Sequence, residues 1–194
     1  MSDLSFSRDA FSHSQVKSKL WLAEHLRRWY PQHMQTEKAY TLNWYGSWIG
    51  LGPFILLTQL KIKLQALHLF ELSEADLENS KKILNYWSCE NLHMEFHLQD
   101  VNQIVPDRNL DQFFINTSCE HIASDRWLKQ IPSGSFVLFQ STDMPHIEHI
   151  NCARNLAHFR EIYEDQIHIL DVAEIGFSYP DKSFIRFMLF GTKR

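Results

Sequence analysis

The residues able to do chemistry gather just after apolar stretches. The most polar such exit is Asn116-Thr117-Ser118-Cys119-Glu120-His121, which follows a run ending at Ile115. Glu120 and His121 are candidate general bases there, and an imidazole suits the role because its ordinary pKa lies near neutral pH. A second exit, Gln140-Ser141-Thr142-Asp143, leads into a loop with His146 and His149. Gln140, Asp143 and His149 are the candidates to contact substrate. Cys119-x-His121 and His149-x-x-Cys152 are ligand-like pairs that could hold zinc or iron. Their spacing is not that of a standard finger, and Cys152 also falls on the apolar stripe of an expected helix, so no metal is assigned. Cys119 beside His121 further has the make-up of a nucleophile and its base.

The other concentration is 40–54, YTLNWYGSWIGLGPF. Gly46, Gly50 and Gly52 are half of the six glycines in the chain. That marks a tight turn where a ligand or another backbone comes close.

Hydrophobic periodicity places these residues on elements. A helix is expected over 14–30, with Val16, Leu20, Ala23 and Leu26 on one face and Pro31 ending it. Strands follow at 39–44 and 64–70, each leading into a helix, the second of them opened by the capping pair Ser73 and Asp76. The segment 92–98 alternates Leu92, Met94, Phe96 and Leu98 with His93, Glu95 and His97, the mark of an edge strand with one wet face. Further strands are expected at 110–115 and 135–139, a short helix at 125–131, and a helix from about 151 with Cys152, Leu156, Phe159 and Tyr163 as its stripe. Strands at 167–175 and 184–190, joined by Tyr179-Pro180-Asp181-Lys182, form an antiparallel hairpin. Strands alternating with helices argue for an α/β fold, with a mostly parallel sheet covered by helices on both faces. The expected division is an N-terminal helical extension, 1–36, and one Rossmann-like domain, 37–194.

This order of elements resembles the class I, Rossmann-like S-adenosylmethionine-dependent methyltransferases over roughly 37–194. The resemblance implies a seven-stranded sheet in the order 3-2-1-4-5-7-6 with the last strand antiparallel, and S-adenosyl-L-methionine as cofactor. It implies that Gly46, Ser47, Trp48 and Gly50 form the cofactor turn, and that Glu71 accepts hydrogen bonds from the ribose hydroxyls. Leu72 would then pack on the adenine, Asp100 with Val101 would meet the adenine amine, and Asn116 would face the methyl end. Two positions depart from the family's turn: Trp48 replaces its middle glycine, and Trp44 stands where an acid is common. The same residues have plain structural uses. Glu71 can be a first-turn acid, Asp100 a turn former, and Asn116 or Ser118 a helix cap.

Composition narrows the classes. A chain of 194 residues, 44% hydrophobic, can bury a full α/β core. Its net charge of −4 and scattered basic residues argue against a nucleic-acid partner. The segment 1–15 lacks the apolar core of a signal peptide, and the most apolar run, 44–57, is too short to span a bilayer. Three cysteines fit a reducing, cytoplasmic setting. The expected activity is methyl transfer to a small molecule. The alternatives are a related transferase of the aminobutyryl type, a catalytically silent Rossmann-like nucleotide-binding domain, and a metal-dependent enzyme using Cys119, His121, His149 and Cys152.

Overall fold

A computed structural model describes residues 8–88, 92–108 and 111–194; Cys89 and Leu110 lie outside them. Seven strands form a sheet in the order β3-β2-β1-β4-β5-β7-β6, and the chain divides into two compact units, Met1–Asp100 and Val101–Arg194.

The first unit holds α1 (His13–His33), β1 (Tyr40–Tyr45), α2 (Leu51–Gln59), β2 (Leu64–Glu71), α3 (Glu74–Ser88) and β3 (His93–Leu98). Its three strands are parallel. Leu42 and Trp44 of β1 stand opposite Leu67 and Leu69 of β2, and all four are fully buried. Gly52 lies against the Trp44 ring, where a Cβ would come within 2.5 Å of an indole carbon, so α2 covers this face. The alternation of a strand sends Asn43, Tyr45, His68, Phe70, Glu95 and His97 to the other face. The side chain of Ser73 accepts the N–H of Asp76 at the start of α3, as the capping pair implied.

Helix α1 packs along α2 within the first unit. It runs through Pro31 rather than stopping there. In the last turn a proline forfeits one ladder bond, and the N–H of Met34 still reaches the Tyr30 carbonyl at 2.9 Å. The buried face is also rotated from the expected one. Leu22, Ala23, Leu26 and Trp29 are inside, while Leu20 is exposed.

The second unit holds β4 (Gln112–Asn116), α4 (Arg126–Gln130), β5 (Phe136–Thr142), α5 (Leu156–Tyr163), β6 (Ile167–Ser178) and β7 (Ser183–Lys193). β4 and β5 are parallel, and β7 lies antiparallel to both β5 and β6. Phe113, Phe114, Phe139, Phe159, Phe187 and Phe190 are fully buried and supply much of its core. The closing hairpin has the expected turn, in which Tyr179 N–H donates to the Lys182 carbonyl.

Three differences bear on function. Between β3 and β4 the described residues form one 3-10 turn, Val101–Gln103, and no α-helix; Pro106 shortly afterwards bars a longer one. β5 extends to Thr142, which makes Gln140, Ser141 and Thr142 strand residues rather than loop. α5 starts at Leu156 because the Asn155 side chain accepts the N–H of His158 (2.8 Å) and caps it there, leaving Cys152 outside the helix.

The Gly52 contact makes a direct check on packing. Gly52→Ala should destabilise the protein by roughly 1–3 kcal/mol, the usual cost of overpacking, because the fully buried Trp44 cannot move aside. An unchanged denaturation midpoint would place α2 farther from β1 than described.

Candidate functional site

In the first unit the site is the turn between β1 and α2. Its backbone enters the left-handed region at alternate residues: Gly46 (φ 62°), Trp48 (φ 49°) and Gly50 (φ 80°). Trp48 is the sole non-glycine with positive φ among the described residues. It thus adopts a left-handed backbone of the kind glycine favours. The turn is tied to β2 at two points. Ser47 N–H donates to the Phe70 carbonyl (3.1 Å), and Trp48 N–H donates to Oε2 of Glu71 (2.7 Å). The other carboxylate oxygen accepts Leu72 N–H at 2.7 Å and Ser73 N–H at 3.3 Å.

Glu71 therefore does more than face solvent: it clasps the turn while half-exposed. The hydroxyl of Ser47 is buried and has no hydrogen-bond partner among the described residues. Gly50 serves packing, since a Cβ there would meet Ser80 of α3 at 2.4 Å. Leu72 is 71% exposed, an unusual setting for a leucine at a strand end. Asp100, just past β3, is half-buried.

In the second unit, Val101 is buried at the head of its 3-10 turn. Asn116 ends β4 fully buried. Its Oδ1 accepts the N–H of Ser118 (2.9 Å), whereas Nδ2 has no partner. Beyond it, the structure brings together Glu120, His121 and His149, whose ligand-type atoms all lie within 4.8 Å of one another. The rings of His121 and His149 meet edge to face at 4.7 Å. His149 Nδ1 lies 2.7 Å from the Met144 carbonyl, which can only accept, so this nitrogen donates. Glu120 is buried, with Oε1 3.6 Å from Arg186 Nη1, and its Oε2 has no hydrogen-bond partner. Its backbone carbonyl accepts both Ile150 and Asn151 N–H, which moors the His149 loop.

Partial burial of its ring is the largest influence on His121 and holds it below its ordinary pKa; Glu120 pulls the other way, and His149 adds to the lowering. The residue is nevertheless exposed at its rim. A neutral, accessible imidazole results.

Neither cysteine joins this group. Cys119 is buried, its thiol donates to the Asn116 carbonyl (3.7 Å), and burial pushes its pKa far up, with Tyr163 as hydrogen-bond partner. It is a core thiol and not a nucleophile. The Cys152 thiol points to the Met144 carbonyl at 3.4 Å and is also raised by burial. The ligand set drawn from Cys119, His121, His149 and Cys152 is thus replaced by Glu120, His121 and His149. Of the expected substrate residues, Gln140 is fully buried with its amide on the Met188 sulfur (3.7 Å). Asp143 accepts Ile185 N–H (2.6 Å) and fastens β5 to β7. His149 alone of the three stands beside His121.

No protein-family model matches the sequence, and no curated protein does. Solved structures do match. A S-adenosylmethionine-dependent methyltransferase from Aquifex aeolicus aligns with a TM-score of 0.63 at 14% identity, over 94% of this chain and 98% of that one. The N-methyltransferase NodS from Bradyrhizobium japonicum WM9, in complex with S-adenosyl-L-homocysteine, gives 0.65 at 11% identity, over 97% and 94%. Magnesium protoporphyrin IX methyltransferase (ChlM) from Synechocystis PCC 6803, with bound S-adenosylhomocysteine, gives 0.67 at 10% identity, over 98% and 90%.

The chain has the class I methyltransferase fold.

Within this methyltransferase fold, Arg186 is the partner of a candidate-site residue that the sequence reading missed. Its signal was present: an arginine inside the apolar run Phe184-Ile185-Arg186-Phe187-Met188. A charge there needs a buried partner. Which of the acids would supply it depends on how β7 lies beside β5, and the run itself carries no trace of Glu120. Arg186→Ala should cost about 3–5 kcal/mol by leaving Glu120 charged and alone in the interior. Adding Glu120→Gln should recover part of that loss in the denaturation midpoint. No recovery would mean that the two charges do not depend on each other.

Proposed function

We propose that the protein binds S-adenosylmethionine and catalyses transfer of its methyl group to a small-molecule acceptor. The observation that carries this reading is the Gly46–Gly50 turn clasped by Glu71. A carboxylate at a strand end with three N–H donors already on it is held in position, and its remaining lone pairs suit the two neighbouring hydroxyls of a ribose. The orphaned Ser47 hydroxyl fits a polar ligand at the same turn, and so does the exposed Leu72 as an apolar plate for an adenine. Asp100 is the acceptor for a base amine. In the second unit, the unpartnered Asn116 amide is a donor awaiting a polar group. Trp48 gives this turn an indole where a glycine would leave room, so the amino-acid end of the ligand would be met by a flat apolar surface.

The cofactor supplies a sulfonium methyl for in-line displacement. The chain's own task is to align the acceptor and remove its proton. His121, neutral and accessible, takes that proton at a ring nitrogen from a hydroxyl, amine or thiol. Glu120, fixed by Arg186, stabilises the imidazolium that results, and His149 flanks it. The solved neighbours bound to S-adenosylhomocysteine, and the porphyrin named for one of them, support the cofactor class and a small acceptor.

Calorimetry is the first test: S-adenosylmethionine and S-adenosylhomocysteine should each bind at one site, and Glu71→Ala should abolish both. Absence of binding to the unmodified protein would refute the reading, whereas binding with no turnover on any acceptor would leave a silent cofactor-binding domain.

Activity should also follow the state of His121. Because its pKa lies below the ordinary value near 6.5, the base is already neutral under mildly acidic conditions. The rate should therefore rise with pH on an acid limb and level off before neutrality. His121→Gln should remove that limb and reduce kcat by roughly a hundred- to ten-thousand-fold; an unaltered limb would exclude His121 as the base.

A further inference from the structure

Just before the Glu71 exit, β2 and β3 carry a second constellation that the proposed methyl transfer does not use. In their parallel register His68 stands opposite Glu95, and Phe70 opposite His97. The period of two puts all four side chains on one face of the sheet, together with His93. Three of their polar atoms converge. Glu95 Oε2 is 3.5 Å from His68 Nδ1 and 3.3 Å from His97 Nε2, and those two nitrogens are 3.3 Å apart.

From this triangle we propose that the face holds a divalent transition-metal ion of the zinc class, bound by His68 Nδ1, His97 Nε2 and Glu95 Oε2.

The first support is size. Ligands at about 2.0–2.1 Å from a tetrahedral zinc are separated from one another by roughly 3.3–3.4 Å. The three observed edges match one face of such a tetrahedron, so the side chains need hardly move to accept an ion.

The second support is proton counting. With one proton in the triangle, on His97, the lone pair of His68 faces a carboxylate oxygen. With a proton on each nitrogen, two N–H groups face each other at 3.3 Å. No arrangement of protons satisfies all three edges, but one cation at the centre does. Desolvation holds both His68 and His97 below their ordinary pKa, which keeps their lone pairs available at neutral pH.

The third is preorganisation. The His97 ring lies nearly parallel to its neighbours Phe70 (4.5 Å, 12°) and His68 (5.4 Å, 13°), and these ring contacts help set its orientation before any ion arrives. The remaining Glu95 oxygen, Oε1, is held by His93 Nε2 at 2.8 Å, an outer-shell contact of the kind that aims a metal-binding carboxylate. The side chains of His68 and His97 are about a quarter exposed, and that of Glu95 is 41% exposed. A fourth position is thus open to water, as in sites of two histidines and one glutamate. Imidazole with carboxylate suits zinc, cobalt or nickel better than calcium or magnesium.

The test uses the full-length protein stripped with a chelator and titrated with Zn²⁺ alone, with no methyl donor present, so that it succeeds or fails independently of the methyltransferase reading. One equivalent should bind at the triangle, and Co²⁺ in its place should give the strong visible bands of a tetrahedral ion. His68→Ala and His97→Ala should each remove that equivalent, while His93→Ala should weaken binding by about 10–100-fold. Nitrogen-15 spectra of the imidazoles in the unmodified protein provide a readout that needs no variant: His68 and His97 should shift on adding Zn²⁺. No binding would overturn the proposal. So would an equivalent that survives both alanine variants and shifts His121 and His149 instead.

Discussion

The structure of the first unit depends on how the chain leaves β1 and turns into α2 within five residues. That reversal needs left-handed backbone at 46, 48 and 50, and the middle position is a tryptophan. An L-residue in that conformation costs about 1–2 kcal/mol. The hydrogen bond from its N–H to the Glu71 carboxylate contributes about 1.5–3 kcal/mol, enough to offset the strain. The acid at the end of β2 thereby becomes a structural part of the turn after β1. Its second oxygen spans the first residues beyond β2, so one side chain coordinates two strand exits. Any ligand bound at this turn meets a backbone already locked in its final shape, and the ordering cost of binding is correspondingly small.

The second unit is organised around a different constraint, a buried charge. Glu120 and Arg186 are both inside, and their separation of 3.6 Å is that of a pair and not of a tight bidentate bond. Such pairs add little net stability, yet they strictly limit which residues can stand beside them. Here Glu120 is one member of the pair, while its backbone carbonyl moors the loop carrying His149 and its carboxylate acts on the neighbouring His121.

Much of the architecture was legible along the chain. The alternation through His93, Glu95 and His97 marked an edge strand, and β3 is the first strand of the sheet order. The short link at 179–182 required a hairpin, and Ser73 with Asp76 capped α3 as read. Element ends were less legible, for local reasons: Pro31 is tolerated in a last turn, and the Asn155 cap delayed α5 past Cys152. The candidate site was legible in part. Glu120, His121 and His149 were singled out from residue type and position, and Glu71 and Trp48 through the family resemblance. Gln140, expected in a loop after β5, is a fully buried residue of that strand, and Asp143 just beyond it accepts Ile185 N–H.

Residue types and their spacing by themselves determined the alternation of helix and strand, the glycine-rich exit from β1 and the polar exit from β4. Those features follow from local backbone preference and from hydrophobic period, which act over a few residues. Tertiary structure decided the partners. It closed Trp48 N–H onto a carboxylate 23 residues away, drew Arg186 onto Glu120, turned Cys119 inward, and set His68 against Glu95 and His97 across two strands. Contacts of that kind depend on strand register and on which face each side chain takes, and register is a property of the paired strands rather than of either segment alone.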